Sequence, residues 1–329
     1  MSGDIALEVR GLCTRFGTEM DGLVVVDGVS FTLRRARTTA IVGESGSGKS
    51  TVALSLLGLI EPPGRVTGGQ VIYRGRDLVQ LDDRELRSIR GARIGIVFQD
   101  PLTSLNPALS IGSQIAETIL AHESISRAAA MARAVQLLEH VGVADAARRA
   151  ADYPHHFSGG MRQRVLIAGA IACRPEIIIA DEPTTALDVT VQAKILRLLH
   201  DLQEEIAASL LLITHDLGVV AAMADDVIVM YAGRVVEYAD VDTLFHAPRH
   251  PYTRALLACL TGVDDDRSSP FTPIVGAPPD LRAPPPGCRF APRCPAAEPE
   301  CTRWEPRARR LSSTQFVACR RVAETMDRG

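Results

Sequence analysis

A short β-like run, Thr38–Val42, leads directly into Gly43-Glu-Ser-Gly-Ser-Gly48-Lys49-Ser50-Thr51, and a helix-like segment follows to about Ile60. No other stretch constrains the chain as tightly. Glycines let successive backbone N–H groups turn inward around an anion, and the start of the helix adds its dipole. This is the P-loop pattern in the strand–loop–helix setting it requires. Gly43, Ser45, Gly46 and Gly48 would form the cradle, Lys49 would place a compact charge on β- and γ-phosphates, and Ser50 would ligate Mg²⁺. A Gly/Ser-rich turn is the plain alternative.

Residue usage sharpens the point. Of 36 basic residues only Lys49 and Lys194 are lysine. A planar guanidinium does not fit a narrow loop as an ammonium does, so a lysine kept in such an arginine-biased chain is there for geometry.

The rest of the composition excludes classes. With 329 residues and 46% hydrophobic content the chain has enough apolar material for a core, which rules out wholesale disorder. Its net charge of −3 argues against a generic nucleic-acid coat. No run approaches the roughly 18 apolar residues of a membrane span. The first ten residues carry Asp4 and Glu8 and no apolar signal core, so a cytosolic chain with reduced thiols is expected.

Further β-like runs occur at Ala6–Val9, Val24–Leu33, Gln70–Tyr73, Ile94–Phe98, Ile177–Asp181, Leu210–Thr214, Val227–Tyr231 and Arg234–Tyr238. The early ones alternate and read as antiparallel. Several later ones are continuous apolar runs followed by helix-like segments, as in a parallel sheet covered on both faces. Pro107 to Ala151 is alanine-rich and helical in pattern. From Pro270 the character changes: ten of 20 prolines lie in 270–299, a composition that cannot continue a helix or a central strand.

Ile177–Asp181 followed by Glu182 is a buried strand ending in two carboxylates. Asp181 suits a Mg²⁺-linked role, and Glu182, one residue past the strand, can polarise an attacking water. Both would otherwise merely cap the next helix. Ser158-Gly-Gly160 opens a second helix with Ser158 as N-cap, a further N-terminus shaped for an anion. One nucleotide needs one P-loop, so a second anion site points to a nucleotide shared between subunits. Gln99 and His215 follow strands at carboxyl ends, where parallel sheets face their ligands.

The order of P-loop, Gln99, Ser158-Gly-Gly, Asp181-Glu182, Ala186-Leu187-Asp188 and His215 resembles the ATPase subunit of an ABC transporter, over roughly Ile5 to Leu260. Three features resemble the oligopeptide/dipeptide importer branch: Gln99-Asp-Pro-Leu-Thr-Ser-Leu-Asn-Pro107, His250-Pro-Tyr-Thr-Arg-Ala-Leu-Leu257, and a cysteine-bearing tail after Pro284-Pro-Pro-Gly287. The resemblance implies an α/β fold: a P-loop ABC ATPase with a mixed sheet, a helical insertion subdomain and a small irregular cysteine-rich C-terminal module. It places the nucleotide-binding domain at 1–262, its helical subdomain at about 107–172, and the module at 263–329.

It also implies roles. Phe16 would stack on adenine where many relatives have tyrosine. Lys49, Ser50 and Thr51 would hold phosphates and Mg²⁺, with Asp181 also at the metal, and Gln99 would sense Mg²⁺ and the attacking water and couple to the membrane subunits. Ser158 and Gly160 would contact the γ-phosphate bound to the opposite subunit, and Asp188 the partner across the dimer. Glu182 would be the catalytic base and His215 the γ-phosphate switch. Met161 departs from the glutamine common in the wider superfamily. The implied cofactors are ATP and Mg²⁺. The implied partners are a second ATPase subunit (a paralogue or a second copy), two permease subunits and an extracytoplasmic peptide-binding protein, with this chain peripheral on the cytoplasmic face of the membrane.

Seven cysteines divide into two sets. Cys13, Cys173 and Cys259 lie among apolar elements and are expected as core thiols. Cys288, Cys294, Cys301 and Cys319 cluster in a segment with too few apolar residues to fold without a staple. A Cys₄ zinc site usually brings two close pairs, absent at this spacing, whereas a [4Fe–4S] cluster tolerates wider spacing. Nine arginines against three acids between Arg282 and Arg321 would offset a cluster's negative charge. A [4Fe–4S] cluster is favoured, with Zn²⁺ or free thiols as alternatives. The expected activity is ATP hydrolysis powering import of di- and oligopeptides. Another cargo, such as a nickel chelate or glycoside, is the alternative. Nucleic-acid contact by the basic residues of the tail is disfavoured, because no base-reading element is present, and a soluble nucleic-acid-associated ATPase because such proteins commonly carry two cassettes in one chain or a long coiled-coil insertion, and this sequence shows one P-loop and neither feature.

Overall fold

The computed structural model describes residues 4–18, 21–185, 187–261, 274–312 and 314–322. Ala186 and residues 263–273 at the start of the expected C-terminal module lie outside them. In chain order the strands are β1 (Ile5–Phe16), β2 (Leu23–Arg34), β3 (Thr38–Val42), β4 (Gly64–Tyr73), β5 (Arg76–Asp77), β6 (Ile94–Val97), β7 (Ile177–Asp181), β8 (Ser209–Ile213), β9 (Asp226–Tyr231), β10 (Arg234–Asp240), β11 (Arg309–Arg310) and β12 (Phe316–Val317). They fall into two compact units. The first lies within Met1–Ala6, Arg34–Arg37 and Gln80–Ile213, the second within Leu7–Leu33, Thr38–Val79 and Thr214–Gly329.

In the first unit the continuous apolar runs become parallel strands. β6 pairs with β7 (Ile94↔Ile177 to Val97↔Ala180) and β7 with β8 (Ile177↔Ser209 to Asp181↔Ile213). Every residue of β7 and β8 is buried, as expected of strands covered on both faces. The stretch Pro107–Ala151 holds the helices Ile111–His122, Arg127–His140 and Ala146–Arg149. Ile111, Ile115 and Ile119 line one helix face, and Ala130, Ala134 and Leu138 line a face of the next. The alanines let the two helices pack closely, and each buried isoleucine contributes about 1.5–3 kcal/mol.

The second unit contains an antiparallel sheet in the order β2-β1-β4-β5. β1 and β4 are longer than their alternation suggests, because the register shifts between Arg10 and Thr14 interrupt it. β3 runs parallel to β9, β9 antiparallel to β10, and β12 antiparallel to β10 and β11. The sheet is therefore mixed. β12 shows that the proline-rich tail is less irregular than its composition implies: once past the prolines, Phe316 and Val317 find an open edge on β10.

One core of this unit gathers Val229, Tyr231, Ala232, Val236, Tyr252 and Phe290, with Cys288 and Cys294 packed against it. Cys13, Cys173 and Cys259, expected in the core, are instead half-buried. Each sulfur reaches a backbone carbonyl, of Gly11, Thr118 and Ala255 respectively, which holds it near the surface of its element.

Candidate nucleotide site

In the second unit, β3 ends at a loop whose shape depends on glycine. Gly43, Gly46 and Gly48 have φ of +151°, +77° and +96°, a region other residues avoid. A Cβ on Gly43 would lie 2.1 Å from the Met230 carbonyl, and one on Gly48 would lie 2.6 Å from that of Val25. The loop closes through Ser47 N–H donating to Glu44 O (3.2 Å) and Gly233 N–H donating to Ser47 O (2.9 Å). Helix Lys49–Leu56 starts at once, shorter than the expected end at Ile60, because Gly58 takes the left-handed φ of +60° that stops it.

Lys49 is 5% exposed. Its ammonium donates to the carbonyls of Gly43 (2.9 Å) and Glu44 (3.0 Å), so it lies along the loop rather than out in solvent. Ser45 and Gly46 are exposed at the loop's tip, and Ser50 and Thr51 are half-buried. Ser47 carries a signal the sequence reading passed over: its hydroxyl is buried within the loop and has no hydrogen-bond partner. A buried orphan hydroxyl is costly unless a ligand satisfies it, and together with the inward-turned loop it fits a phosphate. Phe16, at the end of β1 opposite Gly64, is half-buried. His215 is exposed between Thr214, whose N–H donates to Ile41 O of β3 (3.2 Å), and Asp216, which caps helix Leu217–Met223.

In the first unit, Asp181 closes β7 at 6% exposure. Glu182 follows in a left-handed conformation, φ +42°, a strain of about 1–3 kcal/mol that persists where surroundings enforce it. Its N–H donates to Ile213 O at 2.9 Å. Its carboxylate accepts from Gln99 Nε2 (3.2 Å) and Thr185 Oγ1 (2.8 Å) through the same oxygen, Oε2. Gln99 and Glu182, predicted from separate strand ends, are thus brought together. Thr185 is a partner that sequence reasoning did not single out.

Ser158 holds the N-cap position of helix Gly159–Ile171, but its hydroxyl makes no capping hydrogen bond, contrary to the expected capping role. Ser158 is exposed. Gly160 is needed sterically, since a Cβ there would lie 2.5 Å from Val191 Cγ1. Asp188 caps helix Val189–Ile206 by accepting from Val191 N–H at 2.9 Å, worth about 1 kcal/mol. Val189 beside it is 81% exposed.

The four tail cysteines line a single cavity with His250, Phe290 and Trp304. Burial pushes the Cys288 thiol up to about 11 and raises that of Cys294. The expected ligand set is nevertheless not assembled. Among the described residues no group of three or more His, Cys, Asp or Glu side chains is placed to hold a metal ion.

A glycine-shaped phosphate loop on a mixed, helix-flanked sheet defines a P-loop ATPase of the ABC type. Residues 26–185 match the ABC transporter family, and residues 236–301 match the oligopeptide/dipeptide transporter C-terminal region. The chain belongs to the oligopeptide/dipeptide branch of the ABC transporter ATP-binding proteins. It is 49% identical to the oligopeptide transport ATP-binding protein OppD of Bacillus subtilis, across 94% of this chain and 87% of that one. It is 48% identical to the dipeptide transport ATP-binding protein DppD of the same organism, across 95% and 93%. Among solved structures, the ATP-binding cassette MJ0796, a dimer in a post-hydrolysis state bound to ADP and Pi, superposes with a TM-score of 0.64. It is 30% identical and covers 71% of this chain and 98% of that one.

Proposed function

We propose that this chain hydrolyses ATP to power import of di- and oligopeptides through a multi-subunit ABC transporter. The observation that carries the ATPase reading is the loop itself: a buried Lys49 ammonium lying along an inward-turned, glycine-shaped turn with an orphan hydroxyl inside it. The peptide cargo is supported by the names of the relatives.

The motif resemblance assigns phosphates to Gly43, Ser45, Gly46, Gly48, Lys49, Ser50 and Thr51, and adenine to Phe16. Ser50, Gln99 and Asp181 supply hydroxyl, amide and carboxylate oxygens, the hard donors that magnesium takes. When bound, magnesium neutralises charge on the phosphates. Glu182 acts as general base on the attacking water, with Gln99 and Thr185 fixing its carboxylate, and His215 reads the γ-phosphate. Ser158, Gly160 and Asp188 meet a second ATPase subunit, a role that the exposure of Ser158, Asp188 and Val189 supports.

No helix among the described residues is long and apolar enough to cross a membrane. The family resemblance assigns the pore to two permease subunits, with an extracytoplasmic binding protein delivering cargo and this chain peripheral on the cytoplasmic face. The proposed organisation is a body at 1–262 with a helical subdomain at about 107–172, and a module at 263–329. Vesicles carrying the chain with its permeases and binding protein are expected to accumulate a labelled oligopeptide only with ATP. Uptake of a nickel chelate or glycoside instead would replace the peptide assignment.

Cys288, Cys294, Cys301 and Cys319 would hold a [4Fe–4S] cluster, with zinc as the alternative; four thiols around one apolar cavity supply the soft donors either takes. A cluster would supply a structural staple for a segment poor in apolar residues. Anaerobically purified protein is expected to be brown, with a thiolate-to-iron charge-transfer band that Cys288→Ser removes. Stoichiometric zinc in that preparation would refute the cluster.

A further inference from the structure

The phosphate loop is held at its second residue by the cysteine-bearing segment. The Glu44 carboxylate takes both arms of one guanidinium: Arg293 Nη1 donates to Oε2 at 2.7 Å and Nη2 to Oε1 at 3.0 Å. Glu44 N–H donates to the Tyr252 hydroxyl at 2.9 Å. Glu44 O accepts from Lys49 Nζ at 3.0 Å. One loop residue thus touches Arg293 through its side chain, Tyr252 through its amide and Lys49 through its carbonyl.

Arg293 is itself firmly placed. Its side chain is 5% exposed. Nε donates to Val275 O at 3.1 Å, Nη2 to Ile274 O at 3.3 Å, and Nη1 to the Tyr231 hydroxyl at 3.2 Å. It ends the 3₁₀ turn Ala291–Arg293, between Cys288 and Cys294. Phe290 lines the cysteine cavity and packs on Tyr252 and Tyr231, with ring centroids 5.4 and 5.2 Å apart. The carboxylate and the amide of Glu44 therefore both lead back to this segment.

A bidentate arginine–carboxylate pair fixes direction as well as distance. A loop built on three left-handed glycines has the most backbone freedom to lose when it closes on a ligand, so holding it in advance is repaid as affinity. We propose that Arg293 is a positioning residue for the P-loop, through which the cysteine-bearing segment sets the affinity of the chain for nucleotide. The inference rests on the reading of this loop as the ATP site.

The test is equilibrium binding of MgATP to the full chain by titration calorimetry, with steady-state hydrolysis alongside. Arg293→Ala is expected to weaken binding about tenfold and to raise KM with it, while kcat falls much less. Arg293→Lys is expected to recover part of the affinity, and Arg293→Ala with Glu44→Ala to be no weaker than either alone. A merely structural role would lower the active fraction, hence kcat, and leave Kd unchanged. If Arg293→Ala does not fold, Glu44→Gln, which keeps shape and removes charge, is expected to show the same loss. Affinity within about twofold of the parent in these variants, with Lys49→Ala binding abolished, overturns the inference alone. Normal binding by Lys49→Ala overturns the ATP-site reading and the inference with it.

Discussion

Lys49→Ala is expected to abolish MgATP binding and hydrolysis together. The Lys49 ammonium is buried and hydrogen-bonded to two loop carbonyls, those of Gly43 and Glu44. Alanine removes the charge and also leaves those carbonyls facing a gap, so the variant loses both the attraction for phosphate and the tie that holds the loop's shape. In a low-dielectric cradle the ammonium is worth far more than in water. A loss of at least about a thousandfold in kcat/KM is expected, in line with removing a main electrostatic contact in phosphoryl transfer. Lys49→Arg is expected to fail nearly as badly: its charge is right, but a planar fork does not fit between the two carbonyls. Calorimetric titration and phosphate release measure both effects. Turnover near that of the parent in either variant would remove Lys49 from the site.

Much of this was legible because local chemistry and fold agree. The P-loop is contiguous, so its strand, its glycines and its lysine can be read without knowing any distant contact. Buried parallel strands are also self-announcing, since a run such as Ile177-Ile-Ile-Ala has no polar face to place outward. Gln99 and Glu182 lie 83 positions apart, yet each stands just past the carboxyl end of an apolar strand, a place that local sequence alone makes visible.

What stayed hidden depends on long-range pairing. Glu44 reads as one polar residue in a glycine-rich loop, and nothing local says that a guanidinium 249 positions later will grip it. Ser47 reads as a spacer, because burial of its hydroxyl follows from packing. The tail's prolines truthfully deny helix or central strand, but they are silent about Phe316 and Val317 completing a sheet edge on β10. Cysteine spacing likewise gives the donors; the geometry that would make them ligands has to come from the fold or from the ion.

Glu182→Gln is expected to separate binding from chemistry. In the first unit one carboxylate oxygen of Glu182 accepts from both Gln99 and Thr185, and a glutamine can keep that oxygen in place through its own carbonyl. The change thus preserves shape and the two hydrogen bonds while removing the group able to take a proton from water. Loss of a general base costs about 10²- to 10⁴-fold, so hydrolysis should fall at least a hundredfold while the Kd for MgATP stays within about threefold of the parent. The physical consequence reaches further than rate. If the γ-phosphate bridges two subunits, hydrolysis is what releases the bridge, and a variant that binds without cleaving should accumulate as an ATP-bound dimer. Light scattering of the variant with and without MgATP reads this directly. Parent-like turnover would exclude Glu182 as the base. Slow turnover without a dimer would keep the base and remove the shared-nucleotide reading of Ser158 and Gly160. The two claims, made from different motifs of one chain, therefore stand or fall separately.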